Sequence, residues 1–383
     1  MPINRRSFTS SVAMASLLLQ ADSLADMQPS TPVTSPASTG FPLASERLTT
    51  MLAMAPADPL ESFFNFTWTD LERQLEAFPT LEPEEVAMWL PAGTMVDAPF
   101  RYHSLEHYIG YSFIQIRQQL HLGRSPLPVR LLRLDANAED LIAAWGKTGF
   151  EQMDRGFGPF WSLGVDGEID EDNDLQYRMN GEFNNIAILE DDLIAIAPTA
   201  DGLRDAVEAH QNQSFDLAAK IEPIHTYILD DAISLWCIEG AFLVIDDIVY
   251  PDVRISDALD KSDAAVGPMP VIKMVATSLS AGASSDFDIH QPQARASVFL
   301  KSAEANQADQ IASVVEWRSA NLTGLIPNSG SYADAYSALE IGIVNDDLVR
   351  VTSTGYVDQN FQFANMINRR EALPFTFRLE EQP

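Results

Sequence analysis

Asn185-Ile186-Ala187-Ile188-Leu189, then Glu190-Asp191-Asp192, then Leu193-Ile194-Ala195-Ile196-Ala197: this stretch reads as two short apolar strands folded about a tight acidic reversal. Runs this short and this rich in isoleucine fit strands buried in a sheet, because helices need longer periodic segments. The same grammar returns in Ile343-Val344-Asn345-Asp346-Asp347-Leu348-Val349, where Tyr336 to Val344 and Leu348 to Thr352 form a second hairpin about Asn345-Asp346-Asp347. Two hairpins with matching acidic tips predict a fold with internal repetition.

Outward from the first hairpin, Val129-Arg130-Leu131-Leu132-Arg133-Leu134 is a strand, and Asn137 caps a helix through Asp140 to Trp145 that ends at Gly149. Gly158 to Leu163 is a further strand, and Thr199 caps a helix from Gly202 to His210. In the last third, Val271 to Ser280 and Ala294 to Lys301 are strands and Gln307 to Ser319 is a helix. The fold class is α+β: two loosely similar units of antiparallel sheet with helices on one face, residues 129–250 and 251–383.

A mainly helical segment, residues 46–128, precedes them. Leu71, Leu75 and Phe78 share one face of a helix from Asp70, Glu82 to Leu90 follows Pro79, and Phe113, Ile116, Gln119 and Leu120 align along a helix from Phe113 to Leu122 before Gly123 and Pro126. Phe63, Phe64, Phe66 and Trp68 alternate too densely for a helical stripe and point to a strand or a buried loop.

The amino end carries an export signal. Arg5-Arg6 precedes the apolar run Val12 to Leu19, and Ser23-Leu24-Ala25 supplies small residues for cleavage after Ala25, so residues 1–25 are a signal peptide. The apolar run is far shorter than the roughly 20 residues that span a bilayer. Arg5-Arg6 with Phe8 resembles the twin-arginine signal, although Asn4 and Thr9-Ser10 depart from its pattern. No cysteine follows the run, which excludes a lipid anchor. Residues 26–45, with Pro29, Pro32, Pro36 and Pro42 among Ser and Thr, read as a flexible linker.

Composition narrows the partners. With 46% hydrophobic residues the chain has material for a sizeable core, and a net charge of -31 opposes binding to nucleic acid or to an anionic membrane surface. Cys237 is the only cysteine, so no intrachain disulfide or CxxC motif exists, and its apolar neighbours make it a buried, inert thiol.

The run from Gly110 to Gly123, the strand and helix after it, the hairpin near Asp191 and the late strand and helix from Val271 resemble a group of bacterial exported proteins with no assigned activity. The likeness covers most of residues 50 to 355 as a pattern of elements. It implies an exported globular fold and transfers no functional residue.

One motif carries a mechanism. His103-Ser104-Leu105-Glu106-His107 spells H-x-x-E-H and resembles the inverzincin zinc peptidases. In those, two histidines on one helical face bind zinc, a glutamate activates water, and a downstream glutamate completes the site. Here His103 and His107 are the zinc candidates, Glu106 the catalytic one and Glu182 the third ligand. The lead-in from Asp97 to Tyr102 is proline-broken and bulky, which favours a structural role for these residues.

For calcium, Asp170, Asp172 and Asp174 have the alternate spacing that begins a calcium loop. However, Leu175 stands where the turn needs glycine, and Glu182 falls one place beyond the bidentate position, so a solvated loop is the simpler reading. There is no G-x-G-x-x-G, Walker loop or G-x-S-x-G, and His210, His225 and His290 are scattered singly. The expected function is that of a soluble exported protein, non-enzymatic, that binds a ligand or a surface and needs no cofactor. The alternative is a zinc-dependent hydrolase centred on His103, Glu106 and His107.

Overall fold

Apart from Arg130 and Arg133, the residues along Val129–Leu134 and Leu193–Ala197 are apolar and buried, and in a strand successive side chains point to opposite faces. A sheet built from such strands must be covered twice. In the computed structural model, which describes residues 44–56, 65–77, 106–123, 128–213, 216–228, 232–239, 242–244, 249–250, 253–281, 293–322, 331, 339–356 and 377–379, it is.

In chain order the elements are α1 (Ala44–Leu52), β1 (Asn65–Asp70), α2 (Leu71–Ala77), α3 (Glu106–Ile109), a 3-10 turn (Phe113–Gln115), β2 (Ile116–Leu122), β3 (Val129–Leu134), α4 (Ala138–Thr148), β4 (Glu151–Asp154) and β5 (Pro159–Ser162). Then come α5 (Asp174–Arg178), β6 (Asn185–Glu190), β7 (Leu193–Ala197), α6 (Ala200–Asn212), α7 (Asp216–His225), β8 (Ala232–Glu239), β9 (Phe242–Val244), β10 (Val249–Tyr250) and β11 (Val253–Arg254). The chain continues with α8 (Ile255–Val266), β12 (Ile272–Ala281), β13 (Gln293–Ser302), α9 (Ala308–Asn321), β14 (Glu340–Ile343), β15 (Leu348–Tyr356) and β16 (Phe377–Leu379).

Twelve strands form one sheet in the order β14-β15-β13-β12-β8-β1-β2-β3-β7-β6-β5-β4. Every neighbouring pair in it is antiparallel. The α+β class is thus correct. Two small pairs, β10 with β11 and β16 with β9, stand apart from this sheet.

On the first face, α1, α6 and α7 bury Leu48, Leu203 and Ile221 against Phe66, Trp68, Leu120 and Leu131. On the second face, α2, α3 and α4 bury Leu71, Ile109, Leu141 and Trp145 against Leu132, Leu134, Ile194 and Ile196. Each such side chain removed from water contributes about 1.5–3 kcal/mol. Helices therefore lie on both faces, not on one. The strands demanded this, since neither of their faces is polar enough to meet water.

Local signals set the helix ends. The Asn137 side chain accepts from the Glu139 backbone N–H at 2.8 Å, and Gly149, at φ 100°, donates its N–H to the Trp145 carbonyl at 3.1 Å. Thr199 Oγ1 accepts from the Gly202 N–H at 3.2 Å. Asp70 ends β1 and caps α2, accepting from the Arg73 N–H at 3.1 Å, while Arg47 of α1 grips its two carboxylate oxygens at 2.7 and 2.8 Å and reaches Glu72 at 2.8 Å. Burial pushes the Asp70 carboxyl above its ordinary value even against Arg47.

The segment 46–128 departs most from expectation. Phe113 to Leu122 is a 3-10 turn followed by a strand, and β1 and β2 lie at the middle of the sheet. Position decided this: β2 is hydrogen-bonded to β1 on one side and β3 on the other, and that pairing overrides a helical spacing of a few apolar residues. Phe66 and Trp68 are buried in β1, as their alternation required, and Phe63 and Phe64 lie outside the described residues. Residues 1–43 and the expected helix Glu82 to Leu90 also lie outside them, while Ala44 and Ser45, read as linker, are the first residues of α1. Among the described residues no helix is long and apolar enough to cross a membrane.

Candidate functional site

The middle of the second face is polar, and strand register shows why. Residues directly opposite each other in an antiparallel pair share a face. Leu132 belongs to the second core, and Gln119 stands opposite it; Thr69 is opposite Gln119, and Ser234 opposite Thr69. The neighbouring row runs Arg130, His121, Thr67, Trp236, Thr277. Both rows turn apolar at their ends, at Ile194 and Ile196 on one side and at Leu279 and Val298 on the other.

On the opposite face of the same strands lie Phe66, Trp68, Leu120, Leu122, Leu235 and Cys237, an ordinary core that keeps the thiol buried. The polar rows are buried no less. Thr69 is 1% exposed, Gln119 3%, Ser234 1% and Arg130 7%.

Arg130 marks the border between this polar floor and the apolar core. Its Nη2 donates to the Glu182 carboxylate, and its guanidinium lies 5.8 Å from the centre of the Phe183 ring. Among the described residues its Nε and Nη1 have no hydrogen-bond partner, and neither do Gln119 Nε2 or Thr69 Oγ1. A buried donor without a partner costs about 1–3 kcal/mol, so a cluster of them is a strained feature that a folded chain seldom retains without a use.

The residues singled out by motif are distributed differently. His103 lies outside the described residues; Glu106 opens the four-residue α3, and His107 is exposed, with its ring 3.8 Å from that of Tyr108. Glu182 is engaged by Arg130. Asp170 accepts from the Asp172 N–H at 2.9 Å in a local turn. Asp174 accepts from Arg178 Nε at 3.0 Å and from the Tyr108 hydroxyl at 3.1 Å, which brings α3 beside α5. The Asp174 carboxyl is held below its ordinary value, first by the Arg178 hydrogen bond, with smaller help from Tyr108 and His107. Among the described residues, no group of three or more His, Cys, Asp or Glu side chains is placed to hold a metal ion.

His210 stands 3.9 Å from Glu190 at the rim of a surface groove of about 430 Å³ lined by Phe157, Pro159, Ala187 and Val207. His225 ends α7, and His290 lies outside the described residues. The polar floor itself escaped motif reading, because it contains no catalytic signature. Its signal was the alternation Phe66-Thr67-Trp68-Thr69 and Gln119-Leu120-His121-Leu122, which places apolar and polar residues on opposite faces. No protein-family model, curated protein or solved structure matches the chain.

Proposed function

We infer that the chain is an exported binding protein, not an enzyme, and that it binds through the polar floor of its sheet. The observation that carries this reading is the set of buried, unpartnered donors on Thr69, Gln119 and Arg130. Among the described residues, the carboxylate against that floor, Glu182, is paired with Arg130, and His121 stands opposite Arg130 in the same row. Arg5-Arg6, the short apolar run after it and the Pro/Ser/Thr stretch support export with cleavage after Ala25, and the charge of -31 argues against a nucleic-acid partner.

Two related units are part of the reading. The order β8-β12-β13-β15-β14 repeats the order β1-β2-β3-β7-β6, with α9 between β13 and β14 where α4 stands between β3 and β6, and the halves meet at the β1–β8 pair. The acidic hairpins noticed first, β6–β7 and β14–β15, occupy matching places, and on this reading the second unit begins near β8, earlier than the boundary at residue 251 drawn from the sequence.

A thermal-stability screen of the purified protein against small-molecule classes and divalent cations tests the binding reading. Stabilisation by one class, lost on substituting Gln119, is expected. A chain that no class stabilises, or about one zinc per chain lost on His103→Ala, would overturn it.

A further inference from the structure

We propose that Thr69, Gln119 and Arg130 bind the carboxylate of a small monocarboxylate whose apolar body packs against Trp236. This rests on the reading of the chain as a binding protein and adds the chemistry of the ligand. The three side chains are neighbours: Thr69 and Gln119 are directly opposite in the β1–β2 pair, and Arg130 stands diagonally from Gln119 across the β2–β3 pair. Opposite residues have Cβ atoms about 5 Å apart and diagonal ones about 7 Å, within reach of an arginine and a glutamine that point the same way.

The atoms without a partner among the described residues are the Nε and Nη1 of Arg130, the Nε2 of Gln119 and the Oγ1 of Thr69. The nitrogens are donors only, and the threonine hydroxyl can donate as well. A guest that satisfies them must be rich in acceptors and poor in hydrogens. A carboxylate fits this description, since it accepts on both oxygens and has no proton to place. A single water molecule fits less well, because the donor hydrogens of Arg130 and Gln119 outnumber its two lone pairs, while its own two hydrogens would turn to Thr69 Oγ1 and Gln119 Oε1. A cation is excluded by the donors themselves.

Charge limits the guest to one carboxylate. Arg130 is already partnered by Glu182 and the chain carries a net charge of -31, so a second anionic group would meet repulsion, with no second Arg or Lys among the described residues of the two rows to offset it. Trp236, opposite both Thr67 and Thr277 on the same face and 4% exposed, supplies an apolar wall beside the donors. The guest class is therefore a short aliphatic or aromatic acid.

The test is a titration of the purified protein with propionate and benzoate, followed by thermal midpoint and by tryptophan fluorescence, with sulfate and propionamide as controls. Thr69→Val and Gln119→Leu remove one donor each without removing the buried ion pair, and both should fold at least as stably as the parent in the absence of ligand. The expected result is a saturable rise of about 2 °C or more with a carboxylate and none with sulfate. Each variant should bind at least about tenfold more weakly, since a hydrogen bond to a charged group is worth roughly 1.5–3 kcal/mol. The fluorescence change should vanish in Trp236→Phe.

The proposal is overturned if no carboxylate acts, or if Gln119→Leu and Thr69→Val respond like the parent. If propionamide or another neutral compound stabilises the parent in a Gln119-dependent way while carboxylates do not, the carboxylate assignment fails and the binding reading stands. If nothing stabilises the parent, both fail.

Discussion

Removing the Glu182 carboxylate should expose how much of the second face depends on a neutralised Arg130. The pair is nearly sealed, with side-chain exposures of 8% for Arg130 and 14% for Glu182. Two unit charges about 4 Å apart attract by about 4 kcal/mol at an effective dielectric of about 20, and more when they touch. Glu182→Ala forfeits that attraction and leaves a buried guanidinium whose Nε and Nη1 have no partner among the described residues. Breaking one side of a buried pair costs about 3–5 kcal/mol, and the lower end is expected here because Phe183 still lies beneath the cation.

Urea unfolding followed by far-UV circular dichroism measures it. With an m value of about 3 kcal/mol/M, a loss of about 3 kcal/mol lowers the midpoint by roughly 1 M. The double variant Arg130→Met/Glu182→Leu should recover most of this, since replacing a buried pair by apolar residues of similar volume is often neutral or better. A midpoint shift below about 0.3 M in Glu182→Ala, or a double variant no more stable than the single one, would refute the reasoning. Loss of a bound zinc ion in Glu182→Ala would refute it differently, by returning this residue to the H-x-x-E-H motif.

Other outcomes follow from the same geometry. Gly110→Ala should cost about 2–4 kcal/mol by urea unfolding, because its φ is 83° and an added Cβ would lie 2.8 Å from that of Ala144, where the chain after α3 crosses α4; a neutral effect would show that this approach relaxes freely. Thr199→Ala should cost about 1 kcal/mol and Thr199→Ser much less, if the hydrogen bond to Gly202 is what starts α6. Asp70 titrates above its ordinary value, so the folded state holds that proton more tightly than the unfolded chain. Its stabilising contribution is present in full below the unfolded pKa of about 4 and is lost as pH rises through the folded value, so the stability of the wild type relative to Asp70→Asn should fall on going from pH 3.5 to pH 7, and a rise would contradict the burial argument. For Asp174 the sign is opposite: Arg178→Gln should raise its pKa more than Tyr108→Phe does in carboxylate-detected NMR titrations, and the reverse order would remove Arg178 as the main cause. Changing Arg5 and Arg6 to lysine should leave the protein in the cytoplasm, checked by fractionation, whereas unimpaired export would remove the twin-arginine assignment.

Much of the secondary structure was legible because its signals are local. Asn137, Gly149 and Thr199 end their helices through hydrogen bonds to residues two to four positions away, and no distant partner is needed to recognise them. The hairpin Asn185 to Ala197 is likewise self-contained, with β6 and β7 paired directly across the acidic reversal. Alternation narrowed Phe66 and Trp68 to a strand or a buried loop, and pairing with β2 and β8 makes it a strand. It failed for Phe113 to Leu122, where a few apolar residues matched a helical spacing equally well and only the flanking strands β1 and β3 choose between the two periods.

The sequence by itself thus determined the α+β class, the helix caps, the two acidic hairpins and the net charge of -31. Tertiary structure alone decided that twelve strands join in one sheet and that helices cover both of its faces, because strand order depends on pairings between segments far apart in the chain. It also decided the site. Thr69, Gln119 and Arg130 belong to separate strands, and nothing in their local sequence places them side by side. Register aligns them, burial strips them of water, and the donors left unpartnered there make them a candidate binding site.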